Sequence, residues 1–398
     1  MKIKTLTAVA ICATMMACNS GKNQIVDGWV IDNDRDDMET IDLQEIAEII
    51  DVKPIVSDEP LDEIECLNGI SNNFIACNRQ YRTFYHIRDG KLVDKLNAVG
   101  NGPNEYQELT KLSFLPAENL FYGYNSSKGA IMCFQTSPFK YVSKSEIKNY
   151  PFSLVVVGRD QLLITSQPPI DECENVEIED MGFGAVMRKI KDSSAVYSFD
   201  GHSLTKLFCM VKPGDEFSPS AFTRSGKDLL MLLLMPKHTL YRYSDGQIQK
   251  MATIDYGDME MPEPSIKIES QGAEISAIKI DFEGDYCHGC DFPQIKGSTL
   301  AYWQRMVLNN KKYNCLAIAT PNNLHVYKIC IGGLNIEVTP GMVDNGVYTM
   351  VIQGDWESKI DSGEELSPLG KRIIETLKQN DENPIYLQFR LKDKYLKD

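Results

Sequence analysis

Short runs of β-branched and aromatic residues recur between turn-forming residues along most of the chain. Helical periodicity is scarce in the same region. The longest apolar run, Leu229 to Met235, has the length of a buried strand and is too short to span a bilayer. The pattern of hydrophobic and polar positions therefore predicts an all-β body.

Three of these runs are interrupted by Asp-Gly, at positions 89–90, 200–201 and 245–246. Asp-Gly supplies the positive φ angles that a two-residue hairpin turn requires, so each segment is predicted as strand, turn, strand. A looser turn is expected at Ser126 to Gly129. Turns at intervals of roughly 40 to 70 residues suit repeated four-stranded blades better than the shorter rhythm of a sandwich, and a propeller is expected.

The segment "VGNGPNEYQEL", Val99 to Leu109, resembles a G-x-G-P-x-E-aromatic signature of the six-bladed β-propeller lipoproteins of Gram-negative bacteria, a family of largely unassigned function. Residues 41–64 are similar to the entry segment of that family, and residues 363–392 to its closing feature. The resemblance covers about Ile25 to Lys392. It implies an all-β, six-bladed propeller with a short N-terminal segment and a C-terminal helix followed by a closing strand.

The pattern of the C-terminal residues agrees with that resemblance. Ile373, Ile374 and Leu377 form one apolar stripe at helical spacing. Pro384 then ends the helix, and Ile385 to Leu391 alternates apolar and polar residues as a strand does. A last strand that completes a blade begun near the N-terminus would close the ring and remove exposed edges.

The segment Val99 to Leu109, which we call the Gly-Pro loop, has two interpretations. Gly100 and Gly102 allow unusual backbone conformations, Glu105 could accept N–H groups of the turn, and Tyr106 could pack beneath it. Looser echoes at Gly257 to Glu260 and at 214–217 favour a structural corner. The alternative is a binding loop, in which Asn101, Glu105 and Tyr106 contact a ligand.

The N-terminus has the layout of a secretory signal, with Lys2 and Lys4 before a short apolar stretch. It ends in "MMAC", which resembles a lipobox and makes Cys18 the expected lipidation site; a signal peptide cut elsewhere is the alternative. We divide the chain into a leader at 1–17, an acidic tether and entry segment at 18–50, and the propeller at 51–398.

The formal net charge is −15, and removal of the leader with its two lysines lowers it to −17. This charge argues against nucleic acid and against electrostatic docking on anionic lipid. The lipid is thus the expected membrane attachment. Asn19, which follows Cys18, does not resemble the aspartate that retains some bacterial lipoproteins in the inner membrane, so the outer membrane is favoured. We expect the protein on the periplasmic side of that membrane, with the cell surface as the alternative.

No regular disulfide framework is visible in the eleven cysteines. Cys287 and Cys290, in "CHGC", could form a redox motif, half a zinc site, or a turn whose thiols are free or locally bridged. Without a second ligand pair, a plain turn or a local disulfide is favoured. No metal and no cofactor is predicted.

Other catalytic and metal-binding motifs are weak. "SEIK", Ser145 to Lys148, lacks the companions of an S-x-x-K enzyme. Asp32, Asp34 and Asp36 have calcium-loop spacing, but Asp37 and Leu43 stand where glycine and glutamate are needed, so a solvated acidic linker is preferred.

The sequence is compatible with two functions. The first is a non-catalytic binding or scaffold protein, held at the membrane by its lipid, for a glycan, peptide or protein partner. The alternative is a propeller hydrolase or lyase that acts on a polysaccharide or peptide at the channel mouth. Facing carboxylates or a metal would favour the enzyme, and an aromatic-lined polar cleft would favour binding.

Overall fold

The computed structural model describes residues 29–33, 38–166, 173–177, 186–190, 195–209, 221–225, 228–233, 238–262, 265–271, 274–361, 363–380 and 383–396. Cys18, Asp34, Asp36, Asp37 and the echo at 214–217 lie outside these residues. In the described ranges the chain forms thirty strands and two α-helices. No helix among them is long and apolar enough to cross a membrane.

The strands, in chain order, are β1 Trp29–Asp32, β2 Glu39–Asp42, β3 Ala47–Pro54, β4 Ile64–Ile70, β5 Asn73–Asn78, β6 Phe84–Arg88, β7 Lys91–Leu96, β8 Thr110–Leu115, β9 Leu120–Asn125, β10 Ala130–Gln135, β11 Lys140–Glu146, β12 Pro151–Gly158, β13 Gln161–Ser166, β14 Cys173–Glu177, β15 Val186–Ile190, β16 Ala195–Phe199, β17 Leu204–Cys209, β18 Ala221–Ser225, β19 Asp228–Leu233, β20 His238–Ser244, β21 Gln247–Asp255, β22 Ser265–Gln271, β23 Glu274–Asp281, β24 Tyr286–Lys296, β25 Thr299–Leu308, β26 Lys311–Thr320, β27 Asn323–Cys330, β28 Met342–Asp344, β29 Val347–Ile352 and β30 Ile385–Leu391. The helices are α1 Leu43–Ile46 and α2 Pro368–Gln379.

Four consecutive antiparallel strands are the repeating unit. Strands β4 to β7 pair in chain order, and so do β8 to β11 and β24 to β27. A further sheet has the order β12-β13-β16-β17, with the β14–β15 hairpin inserted between its second and third strands. Strands β22 and β23 form a second separate hairpin.

Two more four-stranded groups share one nine-stranded sheet. These groups are β18 to β21 and β28-β29-β30-β3, and β1 adds to the outer edge of β21. A single parallel pair, Arg224 opposite Asp344, joins them. Because the two groups are continuous in one sheet, the sheet topology leaves the number of blades open.

The first strand of every four-stranded group contributes to one central cavity of about 140 Å³. These strands are β4, β8, β12, β18, β24 and β28. Antiparallel meanders set around a common centre are the arrangement of a β-propeller. The protein is therefore an all-β chain with propeller architecture.

The predicted closing strand is confirmed. β30 spans Ile385 to Leu391 and pairs with β29 on one side and with β3 on the other. Helix α2 begins at Pro368, capped by Ser367, whose hydroxyl accepts from the Gly370 N–H. Its predicted apolar stripe is buried against the same group of strands. The N-terminal β3 thus completes the group that the C-terminus supplies.

The three predicted Asp-Gly hairpins are confirmed as β6–β7, β16–β17 and β20–β21. At 89–90 and 245–246 both turn residues have positive φ. At 200–201 only the glycine does, because the Asp200 carboxylate instead accepts from the backbone N–H groups of His202 and Ser203.

The prediction for "CHGC" is wrong in its local structure. Cys287 and Cys290 lie inside strand β24, where a bulge falls between them, and both are buried free thiols. Aromatic and apolar neighbours on both sides of the motif continue the strand through it. A bulge absorbs the extra residue that the sequence suggested was a turn.

The segment predicted as a tether contributes structure as well. β1 pairs in parallel with β21, and β2 pairs in parallel with β27. Helix α1 has only one turn, capped by the Asp42 carboxylate, and buries Leu43 and Ile46. The chain before residue 51 therefore covers the outer edges of two sheets.

Candidate functional site

The Gly-Pro loop holds its predicted residues in structural contacts. Glu105 Oε2 accepts the Gly102 N–H at 2.7 Å, and the Glu105 N–H donates to the Gly102 carbonyl at 3.1 Å. Lys128 Nζ donates to the Glu105 carbonyl at 2.8 Å. Asn101 is exposed and accepts from the Gln107 amide at 2.8 Å. Gly257 and Glu260 repeat the backbone turn at 3.2 Å.

The two glycines of this loop are needed for a different reason from the one predicted. Gly100 and Gly102 do not have positive φ. A Cβ at Gly100 would overlap the Glu105 carboxylate, and one at Gly102 would lie 2.9 Å from its Oε2. Close approach of the carboxylate, and not backbone freedom, selects glycine at these positions.

Tyr106 is fully buried beneath the loop. Its hydroxyl donates to the Arg82 carbonyl at 2.9 Å and accepts the Ala98 N–H at 3.3 Å. Burial raises the pKa of Tyr106. The contacts of Glu105 and Tyr106 are those of a corner between sheets, and ligand binding by Asn101, Glu105 or Tyr106 stays a prediction.

A surface cleft of about 710 Å³ lies between the β26–β27 turn and the end of the chain. We call it the aromatic cleft. It is lined by three ring side chains, three amide or hydroxyl side chains of the turn, and four further residues: His325, Tyr327, Tyr395, Thr320, Asn322, Asn323, Pro321, Ile318, Ser298 and Lys394.

Alternation along β27 positions the rings from the strand. Leu324 and Val326 point into the core, so His325 and Tyr327 share the opposite face. The two rings are stacked, with centroids 5.9 Å apart and an interplanar angle of 16°. His325 is exposed, whereas Tyr327 is buried beneath its neighbours. Burial raises the pKa of Tyr327, and the charges of Glu39 and Tyr395 raise it further.

The third ring comes from the segment after the closing strand. Tyr395 meets Tyr327 edge to face at 6.3 Å and 80°. Lys392 fixes this segment, because its N–H donates to the Ile46 carbonyl at 2.9 Å and its Nζ to the Gln44 carbonyl at 2.6 Å. Buried Leu396 anchors the end of the segment.

Polar groups surround the rings of the aromatic cleft. The Asn323 amide lies 2.8 Å from His325 Nε2, within hydrogen-bonding distance. Lys394 Nζ lies 4.7 Å from the centre of the Tyr395 ring. Ring faces bind apolar ligand surfaces, and amides and hydroxyls bind polar ligand groups. The cleft thus combines the two kinds of contact that a small polar ligand with apolar faces needs.

The central cavity is a different environment, since its polar side chains bridge neighbouring strands. Asn68 of β4 donates to the Leu112 carbonyl at 3.0 Å and accepts the Phe114 N–H at 2.7 Å. Ser113 Oγ accepts the Val156 N–H at 2.9 Å. These side chains hold the first strands of three groups together, which is a structural role.

Arg224 and Asp344 lie at the junction of the nine-stranded sheet, beside this cavity. The Arg224 guanidinium donates to the Val156 carbonyl. Burial lowers the pKa of Arg224, and Asp344 opposes that shift. Burial raises the pKa of Asp344, and backbone N–H donation by Ser71 and the charge of Arg224 oppose it. Arg224 thus joins β18 to β12 through its hydrogen bond to Val156, and it lies opposite Asp344 of β28 in the strand register.

His325, Tyr327 and Tyr395 were not predicted as site residues from the sequence. The available signal was the Asn-Asn turn at 322–323 followed by alternating ring side chains. Within the described residues, no three His, Cys, Asp or Glu side chains are grouped so that they could hold a metal ion.

No family model and no curated protein matches the chain. Among solved structures, a Bacteroides fragilis protein described provisionally as exported is similar over 92% of this chain and 100% of its own, with a TM-score of 0.61 and 14% identity. This likeness shows a shared fold.

Two further structures are more distant. A member of the DUF4221 family from Bacteroides vulgatus has a TM-score of 0.45 at 9% identity, covering 88% of this chain and 99% of its own. The β-propeller domain of Cps50 (Swd1) from Myceliophthora thermophila has a TM-score of 0.38 at 8% identity, covering 86% and 99%.

Proposed function

We propose that this protein is an exported, lipid-anchored β-propeller that binds a carbohydrate in the aromatic cleft and catalyses no reaction. The observation that carries the proposal is the lining of the cleft, where stacked and edge-on rings stand beside neutral amides and hydroxyls. Sugars present apolar C–H faces and ring hydroxyls, and this lining offers a partner to both.

A peptide is a less suitable ligand for the same cleft. Extended peptides commonly bind by adding a strand to a free sheet edge. On β27, β2 already pairs with Tyr327 to Cys330 through Glu39 to Asp42, which leaves only a short length of that edge beside the cleft. The net charge of −15 also disfavours acidic ligands, whereas it leaves neutral sugars unaffected.

We further propose that the propeller has six blades. Four meanders stand as separate sheets among the described residues, and the nine-stranded sheet contains two more four-stranded groups. One residue pair, Arg224 with Asp344, joins those two groups, which is less than the ladder expected inside a blade. Counting the two groups as separate blades gives six first strands around the cavity.

Export and anchoring rest on the N-terminal sequence. A basic start, a short apolar stretch and Cys18 at its end support cleavage and acylation at that cysteine. Several acyl chains give stable attachment, whereas one chain gives only marginal binding. We place the propeller at the periplasmic side of the outer membrane, with the cell surface as the alternative.

The binding proposal is tested with the Cys18→Ala chain on a glycan array and a peptide library, followed by calorimetric titration of the best ligand. His325→Ala and Tyr395→Ala are expected to weaken sugar binding at least tenfold, about 1.4 kcal/mol. His202→Ala and Tyr150→Ala are the matched controls, because both residues are exposed and lie away from the cleft.

Three results would contradict the proposal. Sugar binding that survives both cleft variants would place the site elsewhere. Binding to peptides alone would overturn the ligand class. Products of sugar or peptide cleavage, detected by mass spectrometry, would show an enzyme.

A further inference from the structure

Two thiols face each other across the first hairpin of the propeller. Cys66 of β4 and Cys77 of β5 are directly opposite in the strand register. Their Sγ atoms lie 2.6 Å apart. Cys77 is fully buried, and Cys66 is partly exposed.

The backbone geometry of this pair suits a covalent bond. Residues directly opposite in an antiparallel pair have Cα atoms about 4.5 to 5.5 Å apart. That spacing falls inside the window of about 4.4 to 6.8 Å that disulfides require. The two sulfurs are therefore positioned for bond formation without movement of either strand.

We propose that Cys66 and Cys77 are an oxidation site that closes to a cross-strand disulfide when the protein meets a disulfide oxidant. The oxidant is a disulfide of an oxidoreductase or of a small thiol. One cysteine thiolate attacks it, releases one thiol and forms a mixed disulfide. The other thiolate then displaces the second thiol. The protein loses two protons and two electrons, and the oxidant is reduced to two thiols.

The other described cysteines have different neighbours. Cys290 lies 2.7 Å from the Tyr256 hydroxyl, and Cys315 lies 3.6 Å from the Met38 sulfur. The C-x-x-C spacing of Cys287 and Cys290 is interrupted by the bulge in β24. Register, and not sequence spacing, selects the reactive pair.

The bond would reinforce the strand next to the ring closure. The Gln353 side chain of the last group accepts the Ile64 N–H at 2.9 Å and donates to the Ile64 carbonyl at 3.0 Å. Asn68 joins the same strand to the next group. A disulfide at Cys66 fixes β4 to β5 between these two connections, so it limits separation of the first blade from the ring.

The pKa of Cys66 is raised, mainly by its hydrogen bond to Cys77 and to a smaller extent by burial. Little of the Cys66 thiolate is therefore present at neutral pH, and the thiolate is the reactive form of a cysteine. Oxidation is thus expected to be slow at neutral pH. Its rate should rise nearly tenfold with each unit of increase in pH, as long as the pH stays below the pKa of the attacking thiol.

The test uses the purified Cys18→Ala chain, reduced and then incubated with oxidised glutathione across a pH series. Non-reducing proteolysis with mass spectrometry is expected to find a peptide that links residues 66 and 77. The intact mass should fall by about 2 Da, and the melting temperature should rise above that of the reduced chain. Both changes should disappear in Cys66→Ser and persist in Cys287→Ser.

Quantitative alkylation of both thiols after oxidation, or a link to another cysteine, would overturn the proposal. Peptide mapping of the Cys18→Ala chain decides this even if Cys66→Ser fails to fold. The physiological step rests on the export proposed above, but the chemistry does not. Cell fractionation tests export separately, so the two failures are distinguishable.

Discussion

Replacement of Phe389 in the closing strand tests how the ring is held together. Phe389 is fully buried, stacks on Tyr348 at 5.4 Å and 21°, and meets Trp303 at 6.4 Å. It belongs to β30, which lies between β29 and the N-terminal β3. Loss of its ring leaves a cavity where β30 pairs with the N-terminal β3.

The expected cost of Phe389→Ala follows from that burial. A phenylalanine truncated in a core costs about 3 to 5 kcal/mol, against a total stability of about 5 to 15 kcal/mol. The neighbouring Arg390 is exposed in the same strand, so Arg390→Ala should stay within about 0.5 kcal/mol of the wild type. The matched pair separates loss of core packing from any general effect of changing β30.

Urea unfolding monitored by tryptophan fluorescence measures both variants, with Trp303 close to the substituted ring. The midpoint should fall strongly for Phe389→Ala with an unchanged slope. Equal midpoints for the two variants, or a loss below about 1 kcal/mol for Phe389→Ala, would refute closure through a packed β30.

Three other predictions follow from named contacts. Glu105→Ala should cost about 1 kcal/mol because it removes the acceptor of the Gly102 N–H, and an unchanged melting temperature would reopen the loop as a binding site. Burial lowers the pKa of His86 to about 4, the charge of Arg88 adds to this shift, and Asp94 opposes it. The free energy of unfolding should therefore fall by about 2 to 3 kcal/mol between pH 6.5 and pH 4, because over this range only the unfolded chain gains the proton. Chemical denaturation at several pH values should show this decline in the wild type and not in His86→Gln, and equal declines would disprove it. Cys18→Ala should abolish labelling by a fatty acid analogue, and labelling that persists in this variant would place the acylation elsewhere.

Local signals made the ends and the hairpins predictable from the sequence. The stripe of Ile373, Ile374 and Leu377 and the alternation after Pro384 depend only on neighbours in the chain, and both elements formed as expected. Asp-Gly pairs fix turn geometry in the same local way. The misread segment was "CHGC", where buried neighbours in β24 outweighed the turn propensity of glycine.

The candidate site could not be predicted from the sequence, because its residues come from segments that are far apart in the chain. His325 and Tyr395 stand seventy residues apart in the chain, and they line one cleft because the segment that follows β30 packs against Tyr327 of β27. The opposition of Cys66 and Cys77 likewise depends on hairpin register, which shifts at a bulge between Ile64 and Cys66. Neither the spacing nor the composition of these residues encodes that register.

The most direct test of the ligand site is a crystal structure of the Cys18→Ala chain with the best sugar from the glycan array. We expect the sugar in the aromatic cleft, with one ring face against His325 or Tyr395 and hydroxyls bonded to Asn322 or Asn323. An ordered sugar at the Gly-Pro loop or in the central cavity, with the aromatic cleft unoccupied, would contradict the proposed site.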